Sequence, residues 1–146
     1  LNANRYEEAA EQLEKAAEID PDDPKKQYNL GAAYLNKGVA LQDSLVALRD
    51  SLLEKDRNPT EEERKMVKDL DEQRRGLFRK AIPPLERARQ LSGAGGQYRQ
   101  NSCSALFQAY VQTEQTEKAE EVKECAGQGA GSGGSESGNG SGGGGR

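Results

Sequence analysis

Residues 6–38 read YEEAAEQLEKAAEIDPDDPKKQYNLGAAYLNKG, and this stretch decides the fold. Its apolar residues recur at intervals of three and four, which predicts helices and shows none of the alternation of a strand. In the middle of the stretch, Asp23 and Pro24 indicate an N-cap followed by a proline in the first helical turn, where its missing N–H costs nothing. The stretch therefore predicts one helix that ends before Pro21 and a second that begins at Pro24.

The helical spacing continues almost to the glycine-rich end of the chain, and two further signals mark helix boundaries. Thr60 and Glu63 form a capping box, which predicts a helix start near Glu61. The pair Pro83-Pro84 removes two backbone donors, so a kink or break is predicted near Ile82. We expect five helices, over residues 5–19, 24–55, 61–91, 98–112 and 116–125.

Small and large apolar residues follow a specific order in the first helix. Four residues recur at spacings of four, three and five: Ala9, Leu13, Ala16 and Pro21. These intervals put small residues where two helices approach closely and the larger one in the seam between them. In this respect the segment resembles the second helix of a tetratricopeptide-repeat (TPR) unit.

The segment after Pro24 resembles the first helix of the next TPR unit. It carries Leu30-Gly31, Tyr34 and Gly38 at the family's offsets. Gly31 would let the partner helix come close, and Tyr34 would fill the space beside it.

The second helix of this unit arrives late in the sequence. It is marked by Phe78, Ala81, Leu85 and Ala88. The family would place only about five residues between Gly38 and Ala81, so about 38 residues are inserted inside the repeat.

A third unit follows, and it is degenerate. Its first helix carries Cys103, Leu106, Phe107 and Tyr110 at family positions, and Ala119 lies in its second helix. Phe107 replaces the usual small residue, as is common in terminal repeats whose outer face meets water. The resemblance implies an all-α, TPR-like right-handed helical solenoid of about two and a half repeats, from a bacterial-type member of the family with a long helical-hairpin insertion.

The inserted segment, over about residues 39–80, predicts an extended antiparallel helical hairpin. On its outgoing arm, leucines fall at coiled-coil spacing at Leu41, Leu45, Leu48 and Leu52. On the return arm, the residues that can face them are Val67, Leu70, Leu77 and Phe78. The outgoing arm has more apolar surface than the return arm can cover, through Val39, Val46 and Leu53. This excess either packs on neighbouring repeats, lies singly exposed or meets another surface.

The resemblance also implies a concave groove lined by the first helices, where such families bind an extended peptide or a helix of a partner protein. Carried onto this sequence, the groove-facing positions are Tyr28, Asn29, Ala32, Leu35, Asn36, Asn101, Ser104, Gln108, Val111 and Gln112. The Lys, Arg and Asn residues of the carboxylate clamp, which holds the tails of chaperones in this family, are absent from the matching positions. A neutral, amide-rich groove would instead hydrogen-bond along a partner's backbone.

Composition excludes several other functions. The formal net charge of −4 argues against nucleic acid, whose phosphates demand a concentrated basic surface. One basic cluster, Arg74, Arg75, Arg79 and Lys80, is interleaved with acidic residues, and we interpret it as a salt-bridged helix face. No apolar run approaches the length of a bilayer, so no transmembrane segment is predicted.

No catalytic, metal or cofactor site is visible in the sequence. The chain has no His, and its two cysteines, Cys103 and Cys125, are interpreted as structural thiols. We therefore expect no enzyme and no cofactor, but a scaffold that binds a protein or peptide, or alternatively an assembly module that forms a homo-oligomer through the hairpin or the open solenoid end. The sequence leaves the compartment open between cytoplasm and periplasm.

The two ends of the chain carry separate expectations. Residues 1–126 are predicted to form the helical domain, and residues 127–146 a flexible Gly/Ser-rich tail, either natural or an added linker. The first helix has the pattern of a second TPR helix with no first helix before it. We therefore expect further repeats upstream and partial exposure of Tyr6, Ala10, Leu13 and Ala17.

Overall fold

The computed structural model describes residues 2–127, with the side chains of residues 5–127. Over this part the chain forms five helices and no strand, as predicted. The helices are α1 (Asn2–Ile19), α2 (Pro24–Leu53), α3 (Glu61–Leu91), α4 (Gln97–Gln112) and α5 (Thr116–Ala126). The predicted tail at residues 128–146 lies outside the described residues.

Local capping chemistry fixes the helix starts. The Asp23 carboxylate accepts a hydrogen bond from the backbone N–H of Lys25 at 2.9 Å, which satisfies one free donor at the start of α2. At α3 the Thr60 hydroxyl accepts from the Glu63 backbone N–H at 3.1 Å, and the Glu63 carboxylate accepts from the Thr60 backbone N–H at 2.8 Å. The predicted capping box is therefore confirmed, with both of its hydrogen bonds.

Each helix packs on the next one along the chain, and α2 additionally contacts α4. The core lies between α2, α3 and α4 and continues to α5. Its largest fully buried side chains include Phe78, Leu85 and Leu106. The first helices of two successive repeats, α2 and α4, therefore lie in one layer, as in a TPR-like solenoid.

Glycines allow α2 to approach α3 closely. A Cβ added to Gly31 would stand 2.7 Å from a methyl carbon of Leu85 and 3.2 Å from the backbone carbonyl oxygen of Ala81. A Cβ added to Gly38 would stand 3.0–3.2 Å from carbons of the Phe78 ring. Both glycines are thus required by close packing, and for Gly31 this confirms the sequence prediction.

The hairpin is formed by α2 and α3, which have 30 and 31 residues and are each about 45 Å long. Leu45 and Leu52 are buried in the seam between the two arms. Val46 and Leu53 on the outgoing arm are 44% and 82% exposed. The prediction of an antiparallel hairpin with excess apolar surface on its outgoing arm is therefore correct, although Val39 packs against the core.

The predicted break near Ile82 does not occur. Helix α3 continues through Pro83 and Pro84 to Leu91. Ala81 and Leu85, on either side of the two prolines, are fully buried, so packing holds this segment helical despite the lost backbone donors.

The two cysteines are joined, and their interpretation as separate thiols was wrong. Cys103 in α4 and Cys125 in α5 form a disulfide with their Cα atoms 5.8 Å apart. The bond links the two helices of the last hairpin, whose packing brings residues 22 positions apart into contact.

Helix α1 is better covered than expected. Ala10 and Ala17 are 8% and 5% exposed, because this face of the helix packs on α2. Tyr6 is 37% exposed, and Leu13 is half-buried. No helix among the described residues is long and apolar enough to cross a membrane.

Candidate partner-binding groove

The surface shared by α2 and α4 is the candidate groove. The rings of Tyr28 in α2 and Tyr98 in α4 lie with their centroids 5.8 Å apart and their planes tilted by 51°. Offset and tilted aromatic pairs at this distance are favourable, so the pair helps to fix the spacing of the two helices. Tyr28, Ala32 and Asn36 recur every four residues and share one stripe of α2 that begins at this junction.

The α2 candidates differ in accessibility. Asn36 is exposed, and three others, Tyr28, Asn29 and Ala32, are half-buried. Leu35 is 7% exposed and belongs to the hydrophobic core. A partner on this surface could therefore contact the amides and the edge of the aromatic pair, but it could reach little of Leu35.

Two of the α4 candidates, Gln108 and Val111, are exposed, whereas Asn101 and Ser104 are half-buried. The hydroxyl of Ser104 lies 3.1 Å from the carbonyl oxygen of Gln100 and 3.4 Å from that of Ala126 at the end of α5. Because this hydroxyl already has acceptors within the chain, Gln108 and Val111 are the α4 side chains most available to a partner.

Gln112, the last α4 candidate, is held by the hairpin. Its side-chain oxygen accepts a hydrogen bond from the Arg74 guanidinium at 2.6 Å. Arg74 itself is only 6% exposed, and its guanidinium donates to Asp71 at 2.7 Å and lies 5.8 Å from the centroid of the Phe78 ring. A buried cation needs such partners, because burying a charge without them is costly.

The carboxylate of Asp71 connects two arginines of the return arm. The hydrogen bond from Arg74 is the main cause that lowers the pKa of Asp71 below its usual value, and Arg75, at 3.0 Å, adds to the shift. Arg75 also lies 3.5 Å from the Glu114 carboxylate in the turn between α4 and α5. The basic cluster is therefore salt-bridged as predicted at Arg74 and Arg75, and it fastens the base of the hairpin to the last repeat.

A second polar contact joins α3 to α4. The Tyr110 hydroxyl donates a hydrogen bond to the Glu86 carboxylate, and Arg89 lies 2.7 Å from the same carboxylate group. Burial is the first cause of a strongly raised Tyr110 pKa, and the hydrogen bond to Glu86 is the second. Tyr110 therefore stays neutral and acts as a hydrogen-bond donor in the packing of the two helices.

Sequence analysis missed the two residues that most constrain this surface, Tyr98 and Arg74. Tyr98 falls in the first turn of α4 and Tyr28 in the second turn of the equivalent helix α2, so the two rings do not occupy equivalent repeat positions and the repeat register does not pair them. Arg74 was assigned to a salt-bridged helix face, and nothing in its local sequence indicates that it is buried. Within the described residues, no group of three or more His, Cys, Asp or Glu side chains could hold a metal ion. What this surface offers is hydrogen bonding and apolar contact.

Comparison with protein-family models gives one match. The model described as TPR repeat covers residues 2–38, which contain α1 and the first half of α2. The match includes the stretch on which the sequence prediction of a repeat was based. Searches of curated proteins and of solved structures gave no match.

Proposed function

We propose that this chain, whose residues 2–38 match a tetratricopeptide-repeat model, is a scaffold that binds a peptide or partner protein on the surface formed by α2 and α4. TPR repeats generally mediate protein–protein interaction. The observation that carries the proposal is the direct contact of α2 with α4, made through Tyr28 and Tyr98, because it sets two first helices side by side. Side-by-side first helices are the element that repeat proteins use as an extended binding surface.

The chemistry of the exposed side chains indicates the kind of ligand. Asn36 and Gln108 are amides that can each donate and accept hydrogen bonds, and Val111 is 51% exposed and apolar. A neutral surface of this type suits the backbone amides of an extended peptide with an apolar side chain. Tyr28 and Ala32 stand where the family's carboxylate clamp would need basic or amide side chains, so a free C-terminal carboxylate is not the expected anchor.

A selection from a library of extended peptides would test the proposal, with the purified chain as bait. For a selected peptide we expect Asn36→Ala with Gln108→Ala to weaken binding by about fivefold to 150-fold, because each of the two hydrogen bonds contributes about 0.5–1.5 kcal/mol. The matched control is Gln73→Ala with Gln90→Ala, since both glutamines are exposed amides on α3, a second helix.

The expected result is loss of affinity in the first double variant and no change in the second. Nuclear magnetic resonance shifts on peptide binding would then cluster in α2 and α4. Equal affinities for the two double variants, or shifts confined to α1 and α5, would show that the α2/α4 surface is not the site. The proposal assigns no catalytic step to the chain, in keeping with a family whose members are typically scaffolds.

An alternative function is self-assembly through the hairpin. The observation that favours it is the exposure of Val46 and Leu53 on one arm, because exposed apolar groups on a helical arm can bury one another in a dimer. Light scattering over a range of concentrations separates the two hypotheses. A monomer at all concentrations supports the scaffold, whereas a dimer that Val46→Ser with Leu53→Ser dissociates supports assembly.

A further inference from the structure

The tip of the hairpin contains a cavity that the proposed groove does not use. It has a volume of about 500 Å³ and lies between the end of α2 and the first turns of α3. Its apolar lining includes Leu52, Leu53 and Val67. Leu53 is 82% exposed, so this lining is open to a ligand. The volume falls within the range of natural ligand pockets, which is about 300–1,000 Å³.

The charged side chains that line this cavity are all basic. They are Arg49, Lys55, Arg57 and Arg64, and no carboxylate lines the cavity. The Glu63 carboxylate lies nearby and forms salt bridges with two of these basic side chains, at 2.6 Å from Lys55 and 2.9 Å from Arg57. Among the described residues, Arg49 and Arg64 have no carboxylate within 4.0 Å. The side chains that line the cavity therefore combine an apolar floor with a net positive rim, and the exposed Glu54, Asp56, Glu61 and Glu62 lie in or beside the same turn without lining the cavity.

The turn that carries this rim is held in place before any ligand arrives. The Glu63 carboxylate accepts hydrogen bonds from Arg57, Lys55 and the backbone N–H of Thr60, and together they hold the pKa of Glu63 far below its usual value. Arg64 in turn donates to the backbone carbonyl of Pro59 at 2.8 Å. A rim fixed in this way loses little conformational entropy on binding, which favours affinity.

We propose that the hairpin tip is a second docking site, and that it takes an acidic peptide segment with one bulky apolar side chain flanked by carboxylates. The apolar side chain would enter the cavity beside Leu53 and Val67, and the carboxylates would pair with Arg49 and Arg64. The basic side chains of the cavity lining favour an acidic ligand over a neutral or basic one, because opposite charges attract across an interface. A second copy docked tip to tip would bring its own positive rim against the first, and like charges in contact disfavour that arrangement.

Direct binding of short fluorescent peptides tests the proposal. The probes are Glu-Glu-Phe-Glu-Glu, the neutral Gln-Gln-Phe-Gln-Gln and the apolar-deficient Glu-Glu-Ala-Glu-Glu, each measured by fluorescence anisotropy. We expect the first to bind most tightly, by about tenfold over either of the others, and its affinity to fall as salt is raised.

Two double variants separate the cavity rim from general charge. Arg49→Gln with Arg64→Gln is expected to weaken binding of Glu-Glu-Phe-Glu-Glu about tenfold. Lys65→Gln with Lys68→Gln removes the same amount of charge from exposed positions on α3, the arm of Arg64, that do not line the cavity, and less than a twofold change is expected. Circular dichroism would verify that both variants fold. The groove variant Gln108→Ala is expected to bind this probe as the parent chain does.

Three results would overturn the proposal. One is equal affinity for the acidic and neutral peptides, and another is equal loss in the two double variants. The third is binding to phosphatidylcholine vesicles that contain phosphatidylserine, together with no binding of the peptides, since this would make the tip a membrane contact instead. Leu53→Ser, at an exposed position that folding does not depend on, gives an independent readout: it should weaken the Phe peptide and leave the Ala peptide unchanged.

Discussion

The close approach of α2 to α3 can be tested at Gly31. In Gly31→Ala the new methyl carbon would stand 2.7 Å from a Leu85 methyl and 3.2 Å from the Ala81 carbonyl oxygen, whereas carbon atoms in contact normally lie about 3.5–4.0 Å apart. Leu85 and Ala81 are both fully buried, so neither can move into solvent. The helices would have to separate by nearly 1 Å, or Leu85 would have to leave its preferred rotamer.

The expected magnitude follows from two opposing terms. Replacing a glycine by alanine inside a helix stabilises it by about 1 kcal/mol. Overpacking a core costs about 1–3 kcal/mol, and a contact this short against fully buried neighbours belongs at the upper end of that range. We therefore expect Gly31→Ala to lower the free energy of unfolding by about 2 kcal/mol. In a domain of this size, such a loss lowers the melting temperature by roughly 6–10 °C.

Gly76→Ala is the matched control, because Gly76 is also inside a helix and an added Cβ there would meet nothing within 4 Å. This variant should show only the stabilisation that comes from replacing a glycine by alanine inside a helix, which raises the free energy of unfolding by about 1 kcal/mol. Urea denaturation followed by circular dichroism measures both variants, and an unchanged m-value shows that only stability has changed. If Gly31→Ala were as stabilising as Gly76→Ala, the predicted overpacking would be refuted. Helices α2 and α3 would then not approach each other as closely at Gly31 as the structure describes.

Two further predictions concern the last repeat and the base of the hairpin. Reduction of the Cys103–Cys125 bond should destabilise the chain by about 3 kcal/mol for a closed loop of 22 residues, and Cys103→Ala with Cys125→Ala should make the melting temperature insensitive to reductant. Arg74→Met should cost about 2 kcal/mol, because it leaves the Gln112 side-chain oxygen without its donor and Asp71 with Arg75 as its one remaining arginine partner. The exposed Arg79→Met should change stability by less than about 0.5 kcal/mol. Because the pKa of Asp71 is lower in the folded chain than its ordinary value, the ionised carboxylate stabilises the fold above pH about 4, and this contribution is lost as the pH falls. In Arg74→Met the free energy of unfolding should therefore depend less on pH in the acid range. Calorimetry with and without reductant, and across pH, measures these changes in stability. The predictions would be contradicted if reductant left the melting temperature of the parent chain unchanged, or if Arg74→Met unfolded with the same free energy as the parent chain.

The helix boundaries could be predicted because they are set by local chemistry. Helix α3 begins and ends at the predicted residues, and α2 begins at Pro24, since caps and prolines act within one turn of the chain. The spacing of small and large residues likewise predicted the close approach of another helix at Gly31, because a repeat fixes which helix each face meets. Information of this kind is present in the sequence within a few tens of residues.

The features that could not be predicted depend on contacts between distant segments. The two prolines in α3 break a helix on local grounds, and only the burial of Ala81 and Leu85 explains why this helix continues. The disulfide depends on the register in which α4 packs on α5. The predicted helices already placed Cys103 in the first helix and Cys125 in the second helix of the third unit, but the degenerate repeat gave no sequence signal strong enough to fix the register between them.

The candidate groove shows the same division between local and distant contacts. Spacing every four residues predicts a shared stripe for Tyr28, Ala32 and Asn36, because it depends only on the helical geometry of α2. It does not predict that Gln112 is bound by Arg74, since that arginine comes from the inserted arm and has no equivalent in an uninterrupted repeat. The insertion thus has two effects on the last repeat: it removes one amide from the candidate surface, and it fixes the end of α4 through a buried cation. A ligand that needed Gln112 would first have to break its 2.6 Å hydrogen bond to Arg74, so the proposed scaffold is expected to contact a partner through the exposed Asn36, Gln108 and Val111 instead.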